Sequence, residues 1–117
     1  MRHGNNVRKF GRDKSQRHAL LKGLMLALIA HGKIQTTEAK AKELRPSIEK
    51  MVTKANLGTL ASRRLVISRL YNLTAEANKL IDEIAPKYKD RTGGYTRITK
   101  LPRRAGDASK MAIIEFI

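Results

Sequence analysis

Tyr95-Thr96-Arg97-Ile98-Thr99-Lys100-Leu101 and Lys110-Met111-Ala112-Ile113-Ile114-Glu115-Phe116-Ile117 set the structural class of this 117-residue chain. Both runs have strand composition. The segment between them holds Arg103, Arg104 and Gly106, which is loop chemistry. Two strands joined by a loop of about eight residues form an antiparallel hairpin with a tip longer than the commonest hairpin turns. Just upstream, Lys87-Tyr88-Lys89-Asp90-Arg91-Thr92-Gly93-Gly94 reads as a loop.

Everything before this hairpin has helical periodicity. Leu20, Leu21, Leu24, Met25, Leu28 and Ile29 make one apolar stripe over residues 15–31, with Ser15 as N-cap and Gly32 as the stop. Ile34-Gln35-Thr36-Thr37 is a short β-prone run. A second helix starts near Thr36 or Thr37, puts Glu38 in its first turn, and keeps Ala41, Leu44, Ile48, Met51, Val52 and Ala55 on one face. Pro46 lies inside that pattern. The unbroken stripe favours one bent helix over two. Residues 56–59 contain Gly58 and read as a loop. A short third helix covers 60–70, with Leu60, Val66, Ile67 and Leu70 apolar. Thr74 caps a fourth, whose stripe is Ala77, Leu80, Ile81 and Ile84, and Ala85-Pro86 ends it. The expected architecture is one α+β domain in two layers, about four helices on a small sheet, over residues 15–117. A basic N-terminal arm occupies residues 1–14.

Composition narrows the function. Hydrophobic residues make up 41% of the chain and aromatics 4%, so aliphatic side chains must build the core. There are 25 Lys and Arg against 10 Asp and Glu, a formal net charge of +15. A chain so charged repels itself, and a polyanion relieves the repulsion. With no cysteine there are no disulfides, thiolate nucleophiles or cysteine-based metal sites. The apolar run 19–30 is too deep for a signal peptide. It is too short to span a bilayer and is interrupted by Lys22. These features suit a cytoplasmic protein.

The charge is also segregated. Arg2, Arg8, Lys9, Arg12, Lys14, Arg17 and Lys22 crowd the start of the chain. Lys87, Lys89, Arg91, Arg97, Lys100, Arg103, Arg104 and Lys110 crowd the hairpin region. A bland solvated surface would mix both signs. Flexible basic segments can follow an RNA backbone, releasing condensed counterions as they neutralise phosphates. Gly93-Gly94-Tyr95 carries two readings: glycine amides approaching phosphate with Tyr95 stacked on a base, or a plain turn with Tyr95 in the core. His3, His18 and His31 have no metal-ligand spacing, with His3 and His18 read as polar or RNA-facing and His31 as a helix-end residue. Glu38, Glu43 and Glu49 stand among Lys40, Lys42 and Lys50 on one helix, where ion pairing explains them. No catalytic constellation, cofactor motif or small-molecule site is recognisable.

Several stretches resemble the seventeenth-protein family of the bacterial large ribosomal subunit. They are Met1-Arg2-His3 with Arg8, Gly11-Arg12 and Arg17; Ile34-x-Thr36-Thr37-x-x-Lys40-Ala41-Lys42 with Glu49; Gly93-Gly94-Tyr95-Thr96-Arg97-Ile98; Arg104-Ala105-Gly106-Asp107; and Met111-Ala112-Ile113-Ile114-Glu115. They occur in order and span essentially the whole chain. Ala108-Ser109-Lys110 departs from the Asn-Ala-Pro common in members, and Phe10 replaces a common Leu. The resemblance implies a structural constituent of the large subunit, bound to its ribosomal RNA beside other ribosomal proteins near the peptide exit region. The expected RNA-binding residues are Arg2, His3, Arg8, Lys9, Arg12, Lys14, Arg17, Lys22, Arg91, Gly93, Gly94, Tyr95, Arg97, Lys100, Arg103, Arg104 and Lys110. The competing reading is a nucleoid-type DNA-binding protein. It would use a recognition helix, or the long hairpin as a minor-groove ribbon. A membrane-active basic protein is a further competitor, and its apolar stripes would face lipid.

Overall fold

Helix α1 (Lys14–His31) begins one residue earlier than its periodicity suggested, because Asp13 rather than Ser15 caps it. The computed structural model describes residues 13–70 and 72–117. The Asp13 carboxylate accepts the Gln16 amide at 2.8 Å and brings negative charge to the helix N-terminus, which a serine would not. The helix stops at Gly32, whose φ of 79° lies in the left-handed region and whose amide donates to the Leu28 carbonyl at 2.7 Å. Gly32 also accepts the Phe116 amide, tying the end of α1 to the last strand. A Cβ at this glycine would meet nothing, so Gly32→Ala should cost only the left-handed conformation itself, about 1–2 kcal/mol. A denaturant titration checks it, and an unchanged midpoint would contradict the assignment of Gly32 as the stop.

Strand β1 (Lys33–Thr37) runs straight into α2 (Glu38–Asn56), with the Thr37 hydroxyl accepting the Lys40 amide at 3.3 Å. All six residues of the expected stripe, from Ala41 to Ala55, are buried. Pro46 has no N–H for the preceding turn. The helix nonetheless continues as a single element. An interior proline costs about 3 kcal/mol, whereas Leu44, Ile48, Met51 and Val52 each contribute about 1.5–3 kcal/mol by burial.

Helix α3 (Leu60–Arg69) opens with a capping box in which Thr59 and Ser62 satisfy each other's amides. Val66 and Leu70 enter the core, but Leu60, expected on the apolar face, stays 63% exposed. Helix α4 (Thr74–Lys79) takes Leu73 as its N-cap position with no side-chain cap, so Thr74 does not cap it. Nor does Ala85-Pro86 end the helical path. The chain widens into a π turn (Leu80–Ile84) and tightens into a 3-10 turn (Ala85–Tyr88). Pro86 lacks an N–H to continue the α ladder, and the Ala85 amide reaches back to the Leu80 carbonyl instead. Ala77, Leu80 and Ile84 are buried as their spacing indicated.

Strands β2 (Thr96–Leu101) and β3 (Met111–Phe116) form the expected antiparallel hairpin. The β-prone run before α2 becomes a third strand: β1 pairs antiparallel with β3, giving the order β1-β3-β2. Ile34, Ile114 and Ile98 align across the sheet on the face that carries the buried Thr96, Ala112 and Ile114. Helix α2 packs against all three strands and against α1 and α3. The described residues form a mixed α+β domain of four helices and a small three-stranded sheet.

Candidate nucleic-acid interface

Five of the expected contact residues, Arg2, His3, Arg8, Lys9 and Arg12, lie outside the described residues. Lys14 and Arg17 fall in the first turn of α1, and Lys22 lies farther along it. Arg91, Arg97, Lys100, Arg103 and Arg104 of the hairpin region are engaged by their own surroundings. Arg97 faces Glu115 across the β2–β3 ladder and donates through Nε and Nη2 to the same carboxylate oxygen, at 3.1 and 2.7 Å. Arg104 grips Asp107 through Nε and Nη2, while Arg103 donates to the Ala108 carbonyl at 3.1 Å. The Arg104 hydrogen bonds, joined by the Ser109 amide, hold the Asp107 carboxyl well below the usual carboxylate range. Lys100 and Lys42 both approach Glu38, at 3.8 and 2.9 Å. The Lys42 hydrogen bond lowers the Glu38 pKa against a desolvation that raises it, and the charges of Lys100 and Lys110 lower it further. Exposed pairs of this kind are weak because water screens them, so a phosphate can compete for the cations.

The Gly93-Gly94 turn is exposed, and Gly94 has a φ of 66°. Arg91 folds back on this turn, donating to the Gly94 carbonyl at 3.3 Å with its guanidinium 5.8 Å from the Tyr88 ring centre. Of the two readings of Tyr95, the structure places it in the core. Its ring is 1% exposed and tilted against Tyr88 at 5.3 Å, and its hydroxyl donates to the Arg91 carbonyl. No ring face is left for stacking on a base. Next to it Glu49 accepts the Thr96 amide and hydroxyl, at 3.2 and 2.9 Å, and pins the start of β2 to α2. So Glu49 is more than one half of a helical ion pair, although Arg45 also approaches it at 3.6 Å.

A different set of cations stands uncompensated. Lys50 and Lys54, one turn apart on α2, converge with Arg69 at the end of α3. Among the described residues no acid lies within ion-pair distance of these three. They form the ridge shared by two grooves. One, of about 390 Å³, lies between α1 and α2 and is lined by His18, Leu21, Lys22, Met25, Ser47 and Met51. The other, of about 650 Å³, runs from α2 to the Thr92-Gly93 turn and includes Pro46, Glu49 and Thr53. Lys22 and Gly93, 71 positions apart in the sequence, thus flank one positive ridge. Sequence reading missed Lys50, Lys54 and Arg69. The available signal was the i, i+4 lysine pair, a spacing that costs about 0.2–0.5 kcal/mol in repulsion unless something anionic relieves it. At the other end of α2, Lys42 and Lys110 line one hollow together with Glu38, and the two lysines outnumber that carboxylate. The α-helical rise puts Lys42 and Lys54 about 18 Å apart along the axis.

No described helix is long and apolar enough to cross a membrane. A family model described as ribosomal protein L17 matches residues 20–117. Among curated relatives, the large ribosomal subunit protein bL17 of Persephonella marina is 57% identical over 118 residues, covering 100% of this chain and 95% of its own length. The protein of the same name from Campylobacter jejuni subsp. doylei is 54% identical over 117 residues, covering 100% and 99%. That of Wolinella succinogenes is 51% identical, covering 100% of both.

Proposed function

This chain belongs to the ribosomal protein L17 family, and on that premise we propose that it is a structural constituent of the large ribosomal subunit which neutralises phosphates of folded ribosomal RNA. The observation that carries the reading is the ridge of Lys50, Lys54 and Arg69, which has no acidic counterpart among the described residues. Three cations brought together from two helices repel one another in the isolated protein. A polyphosphate backbone removes that repulsion and releases counterions. Arg2, His3, Arg8, Lys9 and Arg12, which precede α1 in the sequence, supply further positive charge for the same RNA. The cations around the 102–110 loop engage a second stretch of RNA at the far end of α2. A protein built this way braces two RNA segments against each other by shape and backbone charge more than by sequence. Neighbouring large-subunit proteins complete its surroundings in the bacterial cytoplasm.

Sedimentation of cell lysate tests the assignment. The protein should travel with the large subunit at moderate salt and be released as salt is raised. Co-sedimentation with nucleoid DNA, or persistence in the soluble fraction without ribosomes, would overturn it. Within subunits, crosslinks from Lys50 and Lys54 should reach RNA rather than protein.

A further inference from the structure

The groove between α1 and α2 has a composition that phosphate contact alone does not account for. Its rim is cationic, formed by Lys22, Lys50, Lys54 and Arg69, and among the described residues no carboxylate lines it. Its floor is apolar, made of Leu21, Met25 and Met51, with the two methionines 6% and 3% exposed. A phosphate backbone needs only the rim. A ligand matched to both parts is anionic outside and flat and apolar at its centre, which is the chemistry of a nucleotide.

We propose that this groove receives one unstacked base of the bound RNA, with the flanking phosphates on Lys50, Lys54 and Arg69. The inference rests on the RNA-binding reading above and deepens it. The volume, about 390 Å³, lies in the range of small-ligand sites. Methionine sulfur is polarisable and makes favourable contacts with aromatic rings, so two thioethers form a better floor for a base than for a sugar or phosphate. His18 and Arg69 are planar groups on which bases stack. Because Lys50, Lys54 and Arg69 also line the adjoining groove, the strand leaving the base continues toward the Gly93 turn. An acidic peptide would satisfy the rim. However, helices line both walls, their backbone groups are engaged in their own ladders, and no strand edge is offered for an extended chain to pair with.

Methyl NMR of the full-length protein, labelled at its methionine methyl groups, tests the assignment. The probes are a short single-stranded oligoadenylate, an abasic oligomer with the same number of phosphates, and polyglutamate of matched charge. With oligoadenylate, ring currents should move Met25 and Met51 upfield and leave Met111, on the sheet, in place. The abasic oligomer should bind with a similar salt dependence and produce no such shift. Oligoadenylate binding without movement of Met25 and Met51 overturns the base site while leaving the phosphate-binding reading intact. Equal shifts with the abasic oligomer overturn it in favour of phosphate alone, and equal shifts with polyglutamate overturn it in favour of a protein occupant. Failure of every RNA probe to bind takes down both readings together.

Discussion

Replacing Ile48 by alanine should lower the unfolding free energy by about 2–5 kcal/mol, the largest loss expected from any single change described above. Ile48 is fully buried near the middle of α2, and α2 packs against α1, α3, all three strands and the turns after α4. A cavity there has neighbours on every side that are themselves held by other contacts, so the site cannot collapse cheaply. A domain of this size holds together by only about 5–15 kcal/mol, and the variant should therefore melt at a clearly lower temperature. Leu57→Ala is the matched control. Leu57 is 66% exposed just after α2, and its loss should change stability by about 0.5 kcal/mol or less. Urea titrations of the two variants side by side decide the matter. If both fall within half a kilocalorie per mole of the parent, roughly the range for surface substitutions, α2 is not the centre of the core.

The second large effect is on binding. Lys50→Gln, Lys54→Gln and Arg69→Gln together should lower the slope of log K against log salt by about 2–3, the release expected when three phosphate contacts are lost. Thermal stability should hold or rise slightly, because the substitutions also remove the repulsion between Lys50 and Lys54, worth about 0.2–0.5 kcal/mol. The comparison is the pair Arg63→Gln with Asp82→Asn. Arg63 donates to Asp82 at 2.8 Å and to Asn78 at the same distance, so deleting this self-satisfied pair leaves net charge unchanged. Its salt slope should stay with the parent. A triple variant with the parental slope would remove the ridge from the RNA contact surface.

The helices were legible because burial writes itself into a 3.6-residue period. The stripe from Ala41 to Ala55 emerged intact even across Pro46, since four large buried side chains outweigh one missing hydrogen bond. Gly32 was legible because a left-handed stop favours glycine. Ends set by competition between equivalent groups were not. Asp13 and Ser15 both can cap, and only the three-dimensional path of the chain selects one. The extension past Pro86 was hidden for a similar reason: a π turn absorbs the missing donor, and no residue type announces it. Tyr95 had two open readings because an aromatic beside two glycines suits either a base or a core. Its packing on Tyr88 comes from a contact only the fold creates. The ridge was hidden most completely. Lys50 and Lys54 look like an ordinary solvated helix face until α3 brings Arg69 alongside, with no acid among the described residues within ion-pair distance of the three. Conversely, Arg97 and Arg104 were conspicuous in the sequence, yet both sit in short-range pairs with Glu115 and Asp107.

The strand order β1-β3-β2 sets a timetable for the nascent chain. The central strand follows both of its partners in the chain, and among the described residues each outer strand pairs only with it. Until Met111–Phe116 has cleared the exit tunnel, residues 33–37 and 96–101 lack the strand they pair with, although the four described helices, which precede it, are already synthesised. The sheet therefore closes only once its central strand has emerged, and a polypeptide that stops short of that strand is left with two unpaired edges.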